Sequence, residues 1–465
     1  MANITIDRSK VRGPVPTLRG TYVGDSPEPI REEIIACLKE DLGLTCIRNG
    51  FHARLLSDEQ EEVYHEDGFH RLQQMLDWCE KYDVHCIMDL HNALGRRGGG
   101  DSRLWRQSYF QDRFVRLWEE IVRRFQDHPS VVAWEIINEP EPPDQDFEVW
   151  NRLYQRTVEA IRALDPHHAI IVDSIGYAKP QNFSGLAKSG DDKIVYSFHN
   201  YQPGPYHCQK RRQLTDQSTY YYPGFIPHRQ PAEGQALDFD MVHYEPSEGK
   251  VWNRQNLIEE FKEVYAFRDR YRTPIFCGEF GCVSDVPEMT DAVYLMDEIS
   301  IFQEQGFHWT LYNTLYRTSE AYWRTHFDCG LYIDYTPEDR ILRFERKIDL
   351  MSFFCRTEGL VLEVNQPQDA MVGLYAVRRP DESLAILMSN KDRVDSRDVS
   401  LNIKALPPRW AAALRTMGVG DPGFVVQSDR RVKNGALDLH LPPLTLALVA
   451  LAAPPKTTWQ FERVA

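Results

Sequence analysis

Short apolar runs rich in β-branched residues alternate with segments of helical period across residues 18–315, and this alternation restricts the fold more than any other feature. The strand candidates are 18–24, 45–51, 85–91, 131–138, 169–175, 194–201, 274–281 and 308–313. Amphipathic stretches lie between them, at 30–42, 69–81, 109–126, 147–164, 253–270 and 292–305, with Ser108 and Asp291 placed as caps. The strand runs are apolar nearly throughout, as expected of strands covered on both faces. Strand–helix alternation implies a parallel sheet. Eight such repeats predict an α/β fold, a (β/α)8 barrel, over an open doubly wound sheet.

After residue 350 the pattern changes. The runs 373–377, 384–389, 399–403, 424–427 and 436–441 are short, with turn residues between them, and 444–452 is almost wholly apolar. Asn434-Gly435 reads as a hairpin turn. The expected division is therefore a catalytic-sized barrel at 1–350 and a small all-β sandwich at 351–465. Residues 203–250 fit neither pattern. They are rich in Pro, Gly, Gln and Tyr, including Tyr220-Tyr221-Tyr222-Pro223-Gly224, and are expected to form an ordered insertion at the barrel rim.

Composition narrows the partners. A net charge of −15 over 465 residues disfavours nucleic acid, and a neutral ligand needs no electrostatic steering. No run of apolar residues is long enough to span a membrane. The segment Met1–Asp7 lacks a basic region followed by an apolar one, so the expected location is the cytoplasm unless a leader has been removed. The nine cysteines are scattered without a C-x-x-C pair and are expected as buried thiols. Cys277 and Cys282 lack a matching Cys/His pair, so no metal and no cofactor is expected.

In such a barrel, working residues come from the C-terminal strand ends. Those ends hold Arg48, Asp89-Leu90-His91-Asn92, Asn138-Glu139-Pro140, His199-Asn200-Tyr201, Glu279 and Trp309. Any one of them could simply cap a strand or pack. Together they would converge on one mouth, where polar groups must be desolvated jointly. Glu139 and Glu279 follow the fourth and seventh strands, on opposite sides of the mouth. Two carboxylates facing across a cleft suit glycosidic cleavage, one protonated as acid and one ionised as nucleophile. Proximity and burial would push their pKa values apart.

Trp134-Glu135-Ile136-Ile137-Asn138-Glu139-Pro140 and Ile275-Phe276-Cys277-Gly278-Glu279-Phe280-Gly281, with the strand-end residues in order, resemble glycoside hydrolase family 5, the cellulase-like family of clan A. The resemblance covers about residues 15–345. It implies a retaining enzyme with Glu139 as acid/base and Glu279 as nucleophile. Asn138 would bond the sugar 2-hydroxyl, and Arg48 and Tyr201 would hold the nucleophile. His91, Asn92 and His199 would line the subsite, with Trp309 as its floor. The chain departs from the family pattern in lacking a proline soon after Arg48 and in the long stretch between Tyr201 and Glu279. An insertion there would wall off the cleft and favour short or exo-type action on β-linked glucosides and gluco-oligosaccharides. The resemblance also admits a glycosylceramide or sterol glucoside hydrolase, a β-mannan hydrolase, and a sugar-binding pseudo-enzyme.

Overall fold

The computed structural model describes residues 2–24, 30–59, 63–96, 102–207, 209, 218–227, 249–282, 286–316, 330–333, 341–365, 370–407, 410–432 and 435–453. Eight parallel strands close into a barrel: Arg19–Gly24, Cys46–His52, His85–Asn92, Val131–Glu135, Ala169–Asp173, Ile194–Asn200, Ile275–Phe280 and His308–Leu311. The last pairs back to the first, Trp309 opposite Arg19. The strands are continuously apolar because both faces are covered. Cys46, Ile87, Ala133, Ile171 and Phe276 form a small apolar cluster of their own, while alternate residues pack under the surrounding helices.

The helices follow the predicted stripes. In Ser108–Phe125, Phe110, Phe114, Leu117, Trp118, Ile121 and Phe125 recur at helical spacing and are buried. Ser108 and Asp291 are not caps: each lies inside its helix and neither terminus has a side-chain cap. Asp146 caps Phe147–Arg162 instead, accepting from the Glu148 and Val149 amides at 2.9 and 3.3 Å.

The C-terminal region is an all-β sheet of nine strands. Its central strands are buried on both faces. In Leu384–Asn390, Leu384, Ile386 and Met388 point into the sheet's own apolar cluster, whereas Ala385 and Leu387 join the barrel's core. The sheet folds over on itself. The strand at one edge, Val425–Arg431, is followed after a few residues by the strand at the other edge, Ala436–Leu441. So short a link cannot bridge a flat nine-stranded sheet.

Two expectations are corrected here. The turn at Gly435 does not close a hairpin, because the strands on either side of it pair with Ala411–Met417 and Arg397–Lys404 respectively. Asn434 itself lies outside the described residues. The barrel also does not begin at residue 1. Ala2–Pro14 is an inner strand of the C-terminal sheet, antiparallel to Leu360–Val364 and parallel to Arg397–Lys404. Ile4 and Ile6 alternate into the sheet's apolar cluster, which fixes which face turns inward.

In the Tyr-rich insertion Tyr206, Tyr220 and Tyr222 are buried, whereas Phe225 is 60% exposed. Tyr222 is 1% exposed and packs on Tyr206 and Tyr294, and Gly224–Ile226 pairs with Lys250–Trp252. Residues 208, 210–217 and 228–248 of the insertion lie outside the described residues.

Candidate active site

Arg48, the third residue of the second strand, is fully buried and organises the mouth. Its Nε and Nη2 donate to the two oxygens of Glu135 at 2.7 and 2.9 Å. Nη1 donates to Glu279 Oε1 at 2.7 Å, and Nη2 also reaches Asn138 Oδ1 at 2.8 Å and Asp89 Oδ2 at 3.1 Å. A guanidinium presents donors in a rigid planar fork, so these contacts fix four neighbouring side chains relative to one another. Tyr201 completes the hold on Glu279, donating its hydroxyl to Oε2 at 2.7 Å.

Glu139 sits just beyond the fourth strand with φ 48°, a left-handed conformation costly for a non-glycine residue. Its amide donates to Asp173 Oδ2 at 2.9 Å, and Arg96 donates to the carbonyls of Asn138 and Glu139. The strain is thus held from both sides. Glu139 Oε1 lies 2.8 Å from His199 Nδ1. The same nitrogen is 3.7 Å from Glu279 Oε2, and His199 Nε2 is 3.7 Å from Asp173 Oδ2. Gly278 makes room for this imidazole, since a Cβ there would lie 2.8 Å from His199 Nε2.

The electrostatics follow from crowding acids in a dry site. Burial opposes a charge on His199, but Glu279, Asp173 and Glu139 outweigh it and push the imidazole up to about 9. His199 is therefore an imidazolium at neutral pH and donates to Glu139. Burial also pushes Glu135 up, to about 8, with Asp89 and Asp173 adding to the rise and Arg48 working against it. Burial raises Asp173 likewise.

One carboxylate oxygen of Glu139, one of Glu279 and one nitrogen of His199 all lie within 4.8 Å of one another. That spacing could also hold a cation, as could the cluster of Glu135, Asp173 and His199. In the first cluster Arg48 and Tyr201 already engage the two Glu279 oxygens, and His199 engages Glu139 Oε1.

His91 bonds Asp89 Oδ2 at 2.8 Å and reaches Asn138 Nδ2 at 3.4 Å. Asn92 stands beside it at the rim, opposite His52. Trp309 is misplaced by the sequence reading. It is 0% exposed, packed edge-on to Phe280 in the core, and has no face to offer a sugar. The register explains why: Trp309 pairs with Cys277, two residues below Glu279. At the level of the mouth, just past the eighth strand, stands Tyr312, half-buried, 5.1 Å from the ring of Tyr22 and 6.4 Å from that of Tyr201.

Sequence reasoning also passed over Tyr22, Arg96, Glu135 and Asp173. Tyr22 and Asp173 stand at or near strand ends, so the rule that found the others would have found them. Arg96 lies in a loop and carries no such signal. A cavity of about 370 Å³ lined by Leu18, Ala133, Phe276 and His308 opens at the barrel's other end, away from these carboxylates.

A parallel barrel with paired glutamates at its C-terminal mouth places the protein among the β-glycoside hydrolases. The cellulase family, glycosyl hydrolase family 5, matches residues 13–317, and the chain belongs to that family of retaining glycoside hydrolases. It is 28% identical over 270 residues to Endoglucanase C of Acetivibrio thermocellus, spanning 55% of this chain and 76% of that protein. A beta-xylosidase of Phanerodontia chrysosporium is 32% identical over 197 residues, 38% of this chain and 41% of its own. Cellodextrinase A of Ruminococcus flavefaciens is 28% identical over 246 residues, 52% of this chain and 66% of its own. Among solved structures, Cel5A of Thermotoga maritima in complex with cellobiose superposes with a TM-score of 0.53 at 17% identity, over 70% of this chain and 94% of that one, and shares the fold. Among the described residues no helix is long and apolar enough to cross a membrane.

Proposed function

We propose that the enzyme hydrolyses short β-linked gluco-oligosaccharides and glucosides by double displacement, with Glu279 as nucleophile and Glu139 as acid/base. The observation that carries this reading is the arrangement of the two glutamates. Their oxygens approach within 4.8 Å, and Glu279 is gripped by a guanidinium and a phenol. Donors on both oxygens hold the side chain in one orientation for attack on an anomeric carbon. The approach suits direct attack, since an inverting pair stands about 6.5–9.5 Å apart to admit a water.

Glu279 attacks the anomeric carbon as Glu139 protonates the departing oxygen. Glu139 then takes a proton from water, and the water displaces Glu279 with net retention. Asn138, fixed by Arg48, is placed to meet the 2-hydroxyl, and Tyr312 replaces Trp309 as the aromatic floor. The names of Endoglucanase C and Cellodextrinase A support a β-glucan type of substrate, and the latter supports short chains.

The test is Glu279→Ala and Glu139→Ala on aryl β-glucosides and cello-oligosaccharides. Loss of the acid/base should cost about 10²- to 10⁴-fold on a substrate with a poor leaving group. Near-normal turnover by both variants would overturn the assignment. The first-formed sugar should be the β-anomer by NMR. Product profiling on gluco- and manno-oligosaccharides and xylosides would decide the sugar.

A further inference from the structure

The helix Thr290–Gln305 is buried over almost its whole length between the barrel and the C-terminal sheet. Two consecutive acids on it serve different partners. Asp297, 1% exposed, meets Lys391 of the sheet region, whose Nζ lies 2.7 and 2.6 Å from its two oxygens. Tyr222 of the insertion donates its hydroxyl to Asp297 Oδ2 at 2.8 Å. Glu298, 0% exposed, accepts from Asn200 Nδ2 on the sixth barrel strand. One turn earlier, Tyr294 donates its hydroxyl to the Gln202 carbonyl at 2.8 Å. Asn200 and Gln202 are the two neighbours of Tyr201.

We propose that Lys391 is a positioning residue for the nucleophile: by fixing Asp297 it seats the helix that holds Asn200 and Gln202, and so aims Tyr201 at Glu279. This rests on the reading of Glu279 as nucleophile. A buried ion pair contributes little net stability compared with apolar residues of the same size, but it demands one geometry. Lys391 is itself tied down, since its amide donates to Met371 and the adjacent Asn390 side chain donates to the Leu441 and Pro442 carbonyls. Near the C-terminus of that helix, Glu304 pairs with Arg254 at 2.7 Å and lies 3.9 Å from Arg12 of the sheet strand Ala2–Pro14, a second tie between helix and sheet. The chain of contacts thus runs from sheet to helix to strand end to carboxylate, with a hydrogen bond or ion pair at each step between elements.

The experiment is Lys391→Met assayed on an aryl β-glucoside. A slackened Tyr201 holds Glu279 less firmly for attack. Turnover should fall about tenfold with KM within about twofold, because the sugar-binding groups stay in place. Tyr201→Phe should cost less in the Lys391→Met background than in the wild type, the signature of coupled residues. Leu401→Ala, in the sheet's own apolar cluster, is the control: it lowers Tm and leaves kcat and its coupling to Tyr201→Phe where they were. If Lys391→Met does not fold, Tyr294→Phe tests the same link by removing one hydroxyl. A lowered Tm with wild-type turnover, or effects of Lys391→Met and Tyr201→Phe that simply add, overturns the proposal. Glu279→Ala separates the two failures: if it is inactive while Lys391→Met behaves as wild type, only the positioning role falls.

Discussion

Arg48 is fully enclosed and meets the oxygens of Asp89, Glu135, Asn138 and Glu279 at once. Lysine cannot reproduce a planar fork, so Arg48→Lys should lower kcat/KM by about 10²-fold despite keeping the charge. Arg48→Met removes the charge as well. Glu135 and Glu279 then lose their shared donor, and kcat/KM should fall further than in Arg48→Lys. His199 makes a prediction about stability. Its folded pKa of about 9 lies above the ordinary histidine value. The folded state therefore binds the proton more tightly. The stabilisation is complete below about pH 6.5 and lost as pH rises through 9. Tm of the wild type should fall across that interval, and the fall should be shallower in His199→Gln. An equal slope in both would assign the loss to other groups, Glu135 first. The paired glutamates were legible because each stands at or just past the end of an apolar strand, where a polar side chain is conspicuous. Trp309 was misread because aromatic character is visible in a sequence but register is not. Its pairing with Cys277 decides that it is core, and the level of the mouth falls at Tyr312.

The barrel strands and helices were legible at the level of elements because each is specified locally, by continuous apolar runs or a helical stripe. The C-terminal sheet was legible in kind but not in connection. Ala2–Pro14 pairs with strands some 350 to 400 residues further on, and nothing in its own alternation names those partners. Asn434-Gly435 carries a local hairpin signal, yet the flanking strands find partners at opposite sheet edges. Long-range pairing outweighed the turn. The N-terminal strand can be tested directly. Ile6 is 0% exposed and sits between Val364 and Ile403 in the sheet's cluster. Ile6→Ala should cost about 2–5 kcal/mol in urea unfolding, with activity preserved in the folded fraction. A cost below about 0.5 kcal/mol, the range of surface substitutions, would mean that the strand is peripheral.

Barrel and sheet share one apolar cluster, which takes Tyr375, Val377, Leu387, Leu446 and Leu448 from the sheet together with Phe302, Phe353 and Phe354 from the helices. They also share the ion pair of Lys391 with Asp297, buried on both sides. A linker-joined accessory module has neither, and its interface with a neighbour is small and polar. The sheet therefore packs as one body with the barrel, and one of its strands, Ala2–Pro14, precedes the barrel in sequence. Separating the two bodies would strip the apolar helix Thr290–Gln305 of one of its two coverings. Partial unfolding of the sheet alone thus exposes core that the barrel cannot hide. Calorimetry should show a single endotherm, with the calorimetric enthalpy close to the van't Hoff value. Loss of activity should coincide with loss of the sheet's circular dichroism signal, because the seat of Tyr201 depends on both bodies. Two resolved transitions, with turnover surviving the first, would make the sheet an independent domain and leave the barrel sufficient for catalysis.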